Sequence, residues 1–293
     1  MSLEHRANFF LIDKPKDFTS QDVCTIIKKK YRYNKVGHSG TLDPLATGLL
    51  ILATESYTKL LSYIIEMEKT YDFTVRFGYS SESGDLGTDL VKTDPNYIVN
   101  INDLNNVLSK FIGYSEQVPP MYSAIKVQGK RLYNYARNNE MVELPKRNIH
   151  IQNLKINEII NDSKVNFSVT CSKGTYIRSL ASDIGEMLGV GGVIENLRRT
   201  KIASISVEEA TDIANLPDYD KFELLAYQYK KLINITNVEI DNTNIKTIKN
   251  GGFLPSSLFP KQEECFIVTI DSRIVALYEE YDEMYYKPRN VLI

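Results

Sequence analysis

Apolar residues recur at every second position in two stretches of the chain. In Lys69–Phe77 the side chains of Tyr71, Phe73, Val75 and Phe77 share one face, and Val165, Phe167, Val169 and Cys171 repeat the pattern. A period of two predicts half-buried β-strands. Residues 9–12 and 49–52 are unbroken apolar runs of strand length, read as buried strands, with Gly48 permitting close backbone approach at the start of the second. Elsewhere the spacing is helical. Val23, Ile26 and Ile27 follow Ser20, a candidate N-cap, and lead to Lys28-Lys29-Lys30, which suits a helix C-terminus. Residues 58–65 read as a second helix, and Leu104, Val107, Leu108 and Phe111 as a third, stopped by Gly113. Ile177, Leu180, Ile184 and Leu188 form the stripe of a fourth, stopped by Gly189.

Two segments lack a period. Residues 78–94 are rich in Ser, Gly, Asp and Thr and are expected to be a loop, and 213–237 is polar and linker-like. Beyond the linker, residues 245–250 and Gly251-Gly252 lead to two short strands, 266–270 and 273–278, joined by Asp271-Ser272. The expectation is an α+β chain with a mixed, mostly antiparallel sheet over residues 1–237 and a small β-rich domain over 238–293.

Composition narrows the classes. Of 293 residues, 43% are hydrophobic and 25% charged, as in an ordinary globular core. A net charge of −2 means that any nucleic acid must meet a local basic patch. Cys24, Cys171 and Cys265 have no paired spacing and do not cluster with the three histidines, which predicts neither a disulfide framework nor a zinc site. No apolar run approaches the roughly 20 residues of a membrane helix, and no apolar leader opens the chain. A soluble, cytoplasmic protein is expected.

Three stretches carry candidate chemistry. Val36-Gly-His-Ser-Gly-Thr-Leu-Asp43-Pro-Leu-Ala-Thr-Gly48 puts a carboxylate before a proline, on extended or turning backbone, next to a buried strand. Asp-Pro alone is usually a turn. Arg178 lies off the apolar stripe of its helix, on a face with Ala181, Ser182 and Gly185. A cation in the first turn opposes the helix dipole and calls for an anionic partner. The segment 117–137 interleaves Lys126, Lys130, Arg131 and Arg137 with Tyr122, Tyr133 and Tyr135, offering phosphate contacts and stacking faces. The wet side of a helix would look the same.

Taken together, these blocks resemble the TruB family of tRNA pseudouridine synthases. The stretch around Asp43 matches the catalytic block of that family, Lys14-Pro15 and Ser20 match its opening, and Lys69-Thr-Tyr71 matches a Lys-x-Tyr. The block CSKGTYIRSLASDIGEMLG and Leu197 also match, while Ser81-Glu82-Ser83-Gly84-Asp85 departs from the usual Thr-Asp-Thr-x-Asp. Dyskerin-type relatives share the Asp43 block but depend on guide RNA. The Leu45-Ala-Thr-Gly48 continuation and the basic-aromatic segment favour the stand-alone type.

The resemblance implies conversion of uridine 55 in the T-loop of tRNA to pseudouridine, with base flipping and with no cofactor or metal. It implies Asp43 as nucleophile or as assistant to glycosidic cleavage, Arg178 as its ion-pair partner and Tyr71 as the residue that stacks on the base. His38, Tyr176, Leu197, Lys126, Lys130 and Arg131 are implied in substrate binding, the cations within an RNA-gripping insertion at about 115–148. Arg198, Arg199 and Lys201 would extend the basic patch, and 238–293 would be a PUA-like RNA-binding barrel. A monomer is expected, with tRNA as partner and no guide RNA, protein partner or membrane. One rival is a catalytically idle tRNA-binding or RNA-chaperone protein. The other is a phosphate-handling hydrolase using residues 37–41, but no lysine or metal-binding acid cluster accompanies that loop.

Overall fold

The strands that matter for the site are β1 (Phe9–Lys14), β2 (Val36–His38), β3 (Thr47–Thr54), β4 (Lys69–Phe77), β5 (Gly113–Gln117), β6 (Arg147–Asn161), β7 (Lys164–Cys171), β8 (Gly192–Ile202) and β9 (Thr211–Asp212). The helices among them are α1 (Ser20–Lys30), α2 (Leu61–Glu66), α3 (Ile101–Ser109), α4 (Leu132–Arg137) and α5 (Ile177–Met187). The computed structural model describes residues 7–138, 140–218, 232–260 and 263–293. Among these residues the strands build a ten-stranded mixed sheet in the order β9-β1-β3-β8-β4-β7-β6-β5, with β2 also on β3 and Ile205–Ser206 folded back on β8. The β9–β1 and β8–β3 pairs are parallel and the other named pairs antiparallel.

The two alternating stretches, β4 and β7, pair with Phe73 opposite Phe167. Their inward side chains form one core with α3 and α5. On the other half of the sheet, α1 covers β1 and β3 through Val23, Cys24 and Ile27.

The structure corrects several expectations. Thr19, not Ser20, caps α1: its hydroxyl accepts from the Asp22 amide while the Asp22 carboxylate accepts from the Thr19 amide. Glu55–Leu60 is a 3₁₀ turn, and only Leu61–Glu66 is α-helical. Helix α3 ends at Ser109, and Gly113 opens β5. Residues 78–94 include a small ladder between Tyr79–Ser80 and Val91–Lys92. Strand β8, central between β3 and β4, departs most from expectation. Glu195, Arg198, Arg199 and Lys201 interrupt its apolar pattern. Most of the expected linker, 219–231, lies outside the described residues, and its two ends are packed: Leu216, Leu232 and Ile233 are buried.

The C-terminal part forms a second sheet from β10 (Asn237–Glu239), β11 (Leu254–Pro255), β12 (Cys265–Ile270), β13 (Arg273–Glu280) and β14 (Tyr285–Val291), in the order β10-β12-β13-β14-β11. Asp271 and Ser272 both take positive φ, 51° and 61°, as a two-residue hairpin loop matched to strand twist demands. One core of this sheet surrounds Phe259, Phe266 and Tyr278. Ile267, Ile274, Leu277 and Leu292 instead join a core with Phe9, Leu11, Leu49 and Ile51 of the main sheet.

Candidate active site

The Asp43 loop is pinned along its length. Its entry strand β2 pairs with β3, His38 opposite Leu52, and the Ser39 amide donates to Ile51 O at 2.9 Å. Ser20, displaced from the capping role, is buried beneath the loop, where its Oγ accepts from the Leu42 amide at 2.9 Å. Lys14 is fully buried, and its Nζ donates to Pro15 O, Phe18 O and Pro44 O at 2.9, 2.6 and 3.3 Å. Burial lowers this ammonium to about 8, and the nearby Asp43 acts against that fall. At the loop's exit, Gly48 has φ +105° and packs on β8 so closely that a Cβ would sit 2.3 Å from Arg199 O. That is the close approach expected at this glycine.

Asp43 meets Arg178 across this loop. Arg178 Nε lies 2.9 Å from Asp43 Oδ2, and Nη2 donates to Oδ1 at 3.1 Å, an ion pair closed by one hydrogen bond. The arginine side chain is only 5% exposed, whereas that of Asp43 is 36% exposed. Main-chain carbonyls take further donors, Ser83 O from Nη1 and Tyr122 O from Nη2, each at 2.8 Å. The anionic partner that the helix dipole calls for is in place.

Asp85 completes the cluster, although its residue type and local pattern do not single it out. Its Oδ2 lies 3.7 Å from Arg178 Nε, while Oδ1 accepts from Ser83 Oγ and the Gly87 amide at 2.6 and 2.8 Å. Its one signal in the sequence is the final aspartate position of the departing motif. Burial pushes the Asp43 carboxyl above its usual range, Arg178 pulls it back, and the like charge of Asp85 pushes it up again. Glu82, from the same motif, accepts a 3.4 Å hydrogen bond from Tyr122 Oη at the surface.

Helix α5 carries Arg178, and a side chain from β5 sets its start. Gln117 is buried, and its amide mimics a strand neighbour: Oε1 accepts from the Tyr176 amide at 2.8 Å and Nε2 donates to Tyr176 O at 3.0 Å. Tyr176 itself is half-buried beside Asp43 and Arg178. Leu197 packs at the edge of the main core and lines a small cleft with Asp43, Leu45, Ala46, Asp85 and Arg178. Tyr71 is half-buried on β4, next to Asp43 and Arg199, and burial holds its phenol above the ordinary value. His38 is half-buried; its Nδ1 accepts from the Gly40 amide at 3.3 Å, and burial together with Arg199 lowers its pKa.

The cations of the expected insertion stand apart from this cluster. Lys126–Val127 and Lys130–Arg131 form a hairpin that leads into α4. Lys126, Arg131 and Arg137 are exposed, the two arginines flanking the Tyr133 ring at 5.8 Å each. Lys130 is bound to Glu140 at 2.6 Å and lies over the Tyr135 ring. Tyr135 is buried and donates to Val127 O, so its ring belongs to the packing of the insertion. The expected extension of the basic patch along β8 is corrected: Lys201 is exposed, but Arg198 is paired with Asp13 at 2.6 Å. Arg199 is 1% exposed and belongs to the interior, because its donors face the Asp43 loop. Cys24 and Cys171 are buried and Cys265 half-buried, all as free thiols. Among the described residues no group of three His, Cys, Asp or Glu side chains is placed to hold a metal ion.

Comparison with known proteins identifies the family that carries this mixed sheet and its Asp43 loop. Residues 28–177 match the TruB family pseudouridylate synthase N-terminal domain, and 178–231 match the tRNA pseudouridylate synthase B C-terminal domain. The chain belongs to the TruB family. It is 39% identical over 238 residues to tRNA pseudouridine synthase B of Clostridium tetani (strain Massachusetts / E88), covering 81% of this chain and 82% of that one. With the protein of the same name from Aster yellows witches'-broom phytoplasma (strain AYWB) it shares 35% identity over 287 residues, 96% of this chain and 98% of that one. A chain from the crystal structure of a Cbf5-Nop10-Gar1 complex has the same fold, with TM-score 0.72, 23% identity and coverage of 98% of this chain and 85% of that one.

Proposed function

We propose that this chain converts uridine 55 in the T-loop of tRNA to pseudouridine as a stand-alone enzyme that uses no cofactor. The observation that carries this reading is the Asp43 carboxylate, ion-paired with a buried Arg178 yet open to the cleft. Arg178 keeps Asp43 oriented and favours its ionised form against burial. An ionised carboxylate serves either as a nucleophile or as the charge that assists departure of the base from the ribose. Tyr71 lies beside it, offering a ring to stack on the uracil and a hydroxyl to handle the carbon-5 proton. The target base leaves the stack to reach this site. His38, with its lowered pKa, acts as a neutral wall of the loop rather than a phosphate-binding cation.

The grip on RNA is assigned to Lys126, Lys130 and Arg131, with Tyr176 and Leu197 closer to the base. Residues 1–237 would form the catalytic domain and 238–293 a PUA-like RNA-binding domain. Among the described residues no helix is long and apolar enough to cross a membrane, and we place the enzyme in the cytoplasm as a monomer with tRNA as its partner. The test is release of tritium from tRNA carrying 5-tritiated uridine. Wild-type protein should release it with pseudouridine appearing at position 55, and Asp43→Asn should abolish release while keeping tRNA affinity within about tenfold. Turnover by purified Asp43→Asn would remove Asp43 from this role, and tight tRNA binding without release by wild type would favour the idle RNA-binding reading.

A further inference from the structure

Arg199 is the largest fully buried side chain of the described residues. Burying a guanidinium is costly unless its donors are satisfied and its charge has a use. Nε donates to Leu49 O at 2.7 Å and Nη2 to Gly40 O at 3.3 Å. Those two carbonyls lie on either side of Asp43 in the chain, so the arginine braces both limbs of its loop. Its third neighbour is Tyr71: the two residues are register partners across β8 and β4, and the guanidinium charge acts on the phenol.

The charges around Tyr71 give this contact its meaning. Arg199 faces it from β8, Asp43 from the loop and Cys171 from β7. The Cys171 thiol is pushed up to about 12 and carries no charge at neutral pH. Asp43 opposes negative charge on the phenol oxygen, and Arg199 favours it. Burial chiefly lowers the pKa of Lys14, Lys69 and His38, and the charge of Arg199 adds to the fall in each. An apolar side chain of similar volume would fill the space without that repulsion.

We propose that Arg199 is a positioning residue that orients the Tyr71 hydroxyl and steadies negative charge on its oxygen as the carbon-5 proton is removed. This rests on the pseudouridine synthase reading above. In that step the phenolic proton leaves to water first, and the oxygen so charged takes the carbon-5 proton as the C5–H bond breaks. N1 of the base takes a proton from water, so protons balance and nothing is oxidised or reduced.

The test uses the full chain and a T-arm stem-loop RNA whose target uridine carries either hydrogen or deuterium at carbon 5, in single turnover at saturating enzyme. Arg199→Lys keeps the charge but loses the planar fork. It should bind RNA as wild type does, react about tenfold to a hundredfold more slowly, and show a larger deuterium isotope effect than wild type. Wild-type rate in the variant would overturn the proposal. So would a slowed rate with an unchanged isotope effect, which would mean that Arg199 only shapes the loop. A second measurement leaves Arg199 in place: in Tyr71→Phe the isotope effect should rise and the guanidinium nitrogen resonances of Arg199 should shift, and failure of either overturns the proposal. Failure of wild-type protein to release tritium would instead sink the underlying functional reading, so the two failures are distinct.

Discussion

Arg178 connects three parts of the chain, holding the carboxylates of Asp43 and Asp85 and two main-chain carbonyls with one guanidinium. Lysine in its place is a point charge that cannot hold Asp43 and the Ser83 and Tyr122 carbonyls in one planar fork. Arg178→Lys should therefore recover only part of the activity lost in Arg178→Ala, read from single-turnover rates. The pH profile tests Asp85. Its charge raises the Asp43 pKa, so Asp85→Asn lowers that pKa. If Asp43 must be ionised to react, the acid limb of the rate moves to lower pH in this variant. At neutral pH the rate itself should fall by about tenfold, as Arg178 loses an anchor and the pair drifts from its reacting geometry. An acid limb that stays put or moves upward would contradict the like-charge argument.

Among the elements, α5 and the insertion are joined at their roots. Gln117 at the end of β5 holds the Tyr176 main chain, Ser179 Oγ donates to Val118 O at 2.8 Å, and Arg178 holds Tyr122 O. These bonds tie the root of the insertion to the helix that carries Arg178. The tip of the insertion contains its own restraint. Lys130 is tied to Glu140, a solvent-facing pair whose intrinsic strength is small. Glu140→Gln should free Lys130 for phosphate, tighten tRNA binding and steepen the salt dependence, adding roughly 0.7 to 0.9 to the slope of log K against log salt. Titrations across a salt series would read this. An unchanged slope would mean that Lys130 does not meet phosphate.

At the scale of the molecule, the C-terminal sheet is more than an attachment. Ile267, Ile274, Leu277 and Leu292 share a core with Phe9 and Leu11 of β1 and with Leu49 and Ile51 of β3, the strand that leaves the Asp43 loop. Truncation at residue 238 would expose that core. We expect the truncated chain to lose solubility, and the full chain to unfold in one calorimetric transition rather than two. Ile267→Asp, which puts a charge into the shared core, should destabilise both sheets together by more than about 4 kcal/mol. Separate transitions, or a soluble truncated enzyme with normal chemistry, would show that the two sheets fold independently.

Local pattern by itself determined the alternating strands β4 and β7, the apolar strands β1 and β3, the stripe of α5, and the Asp-Pro loop with Gly48 at its exit. These depend on side-chain periodicity and backbone restriction, which are properties of neighbours in the chain. The dipole argument even demanded an anion near Arg178 before any partner was in view. Tertiary structure alone decided what lies far apart in sequence. Asp85 joins Arg178 across more than ninety residues, and no local periodicity or turn signal separates it from Asp89 or Asp94 until the chain folds. Glu195, Arg198, Arg199 and Lys201 hid β8, because charged side chains in a central strand are tolerated only where an ion pair, a carbonyl or solvent receives them. Arg198 binds Asp13, whereas Arg199 turns inward to Leu49 O and Gly40 O. Burial and long-range pairing set the chemistry of such groups, and both exist only once the sheet has closed around them.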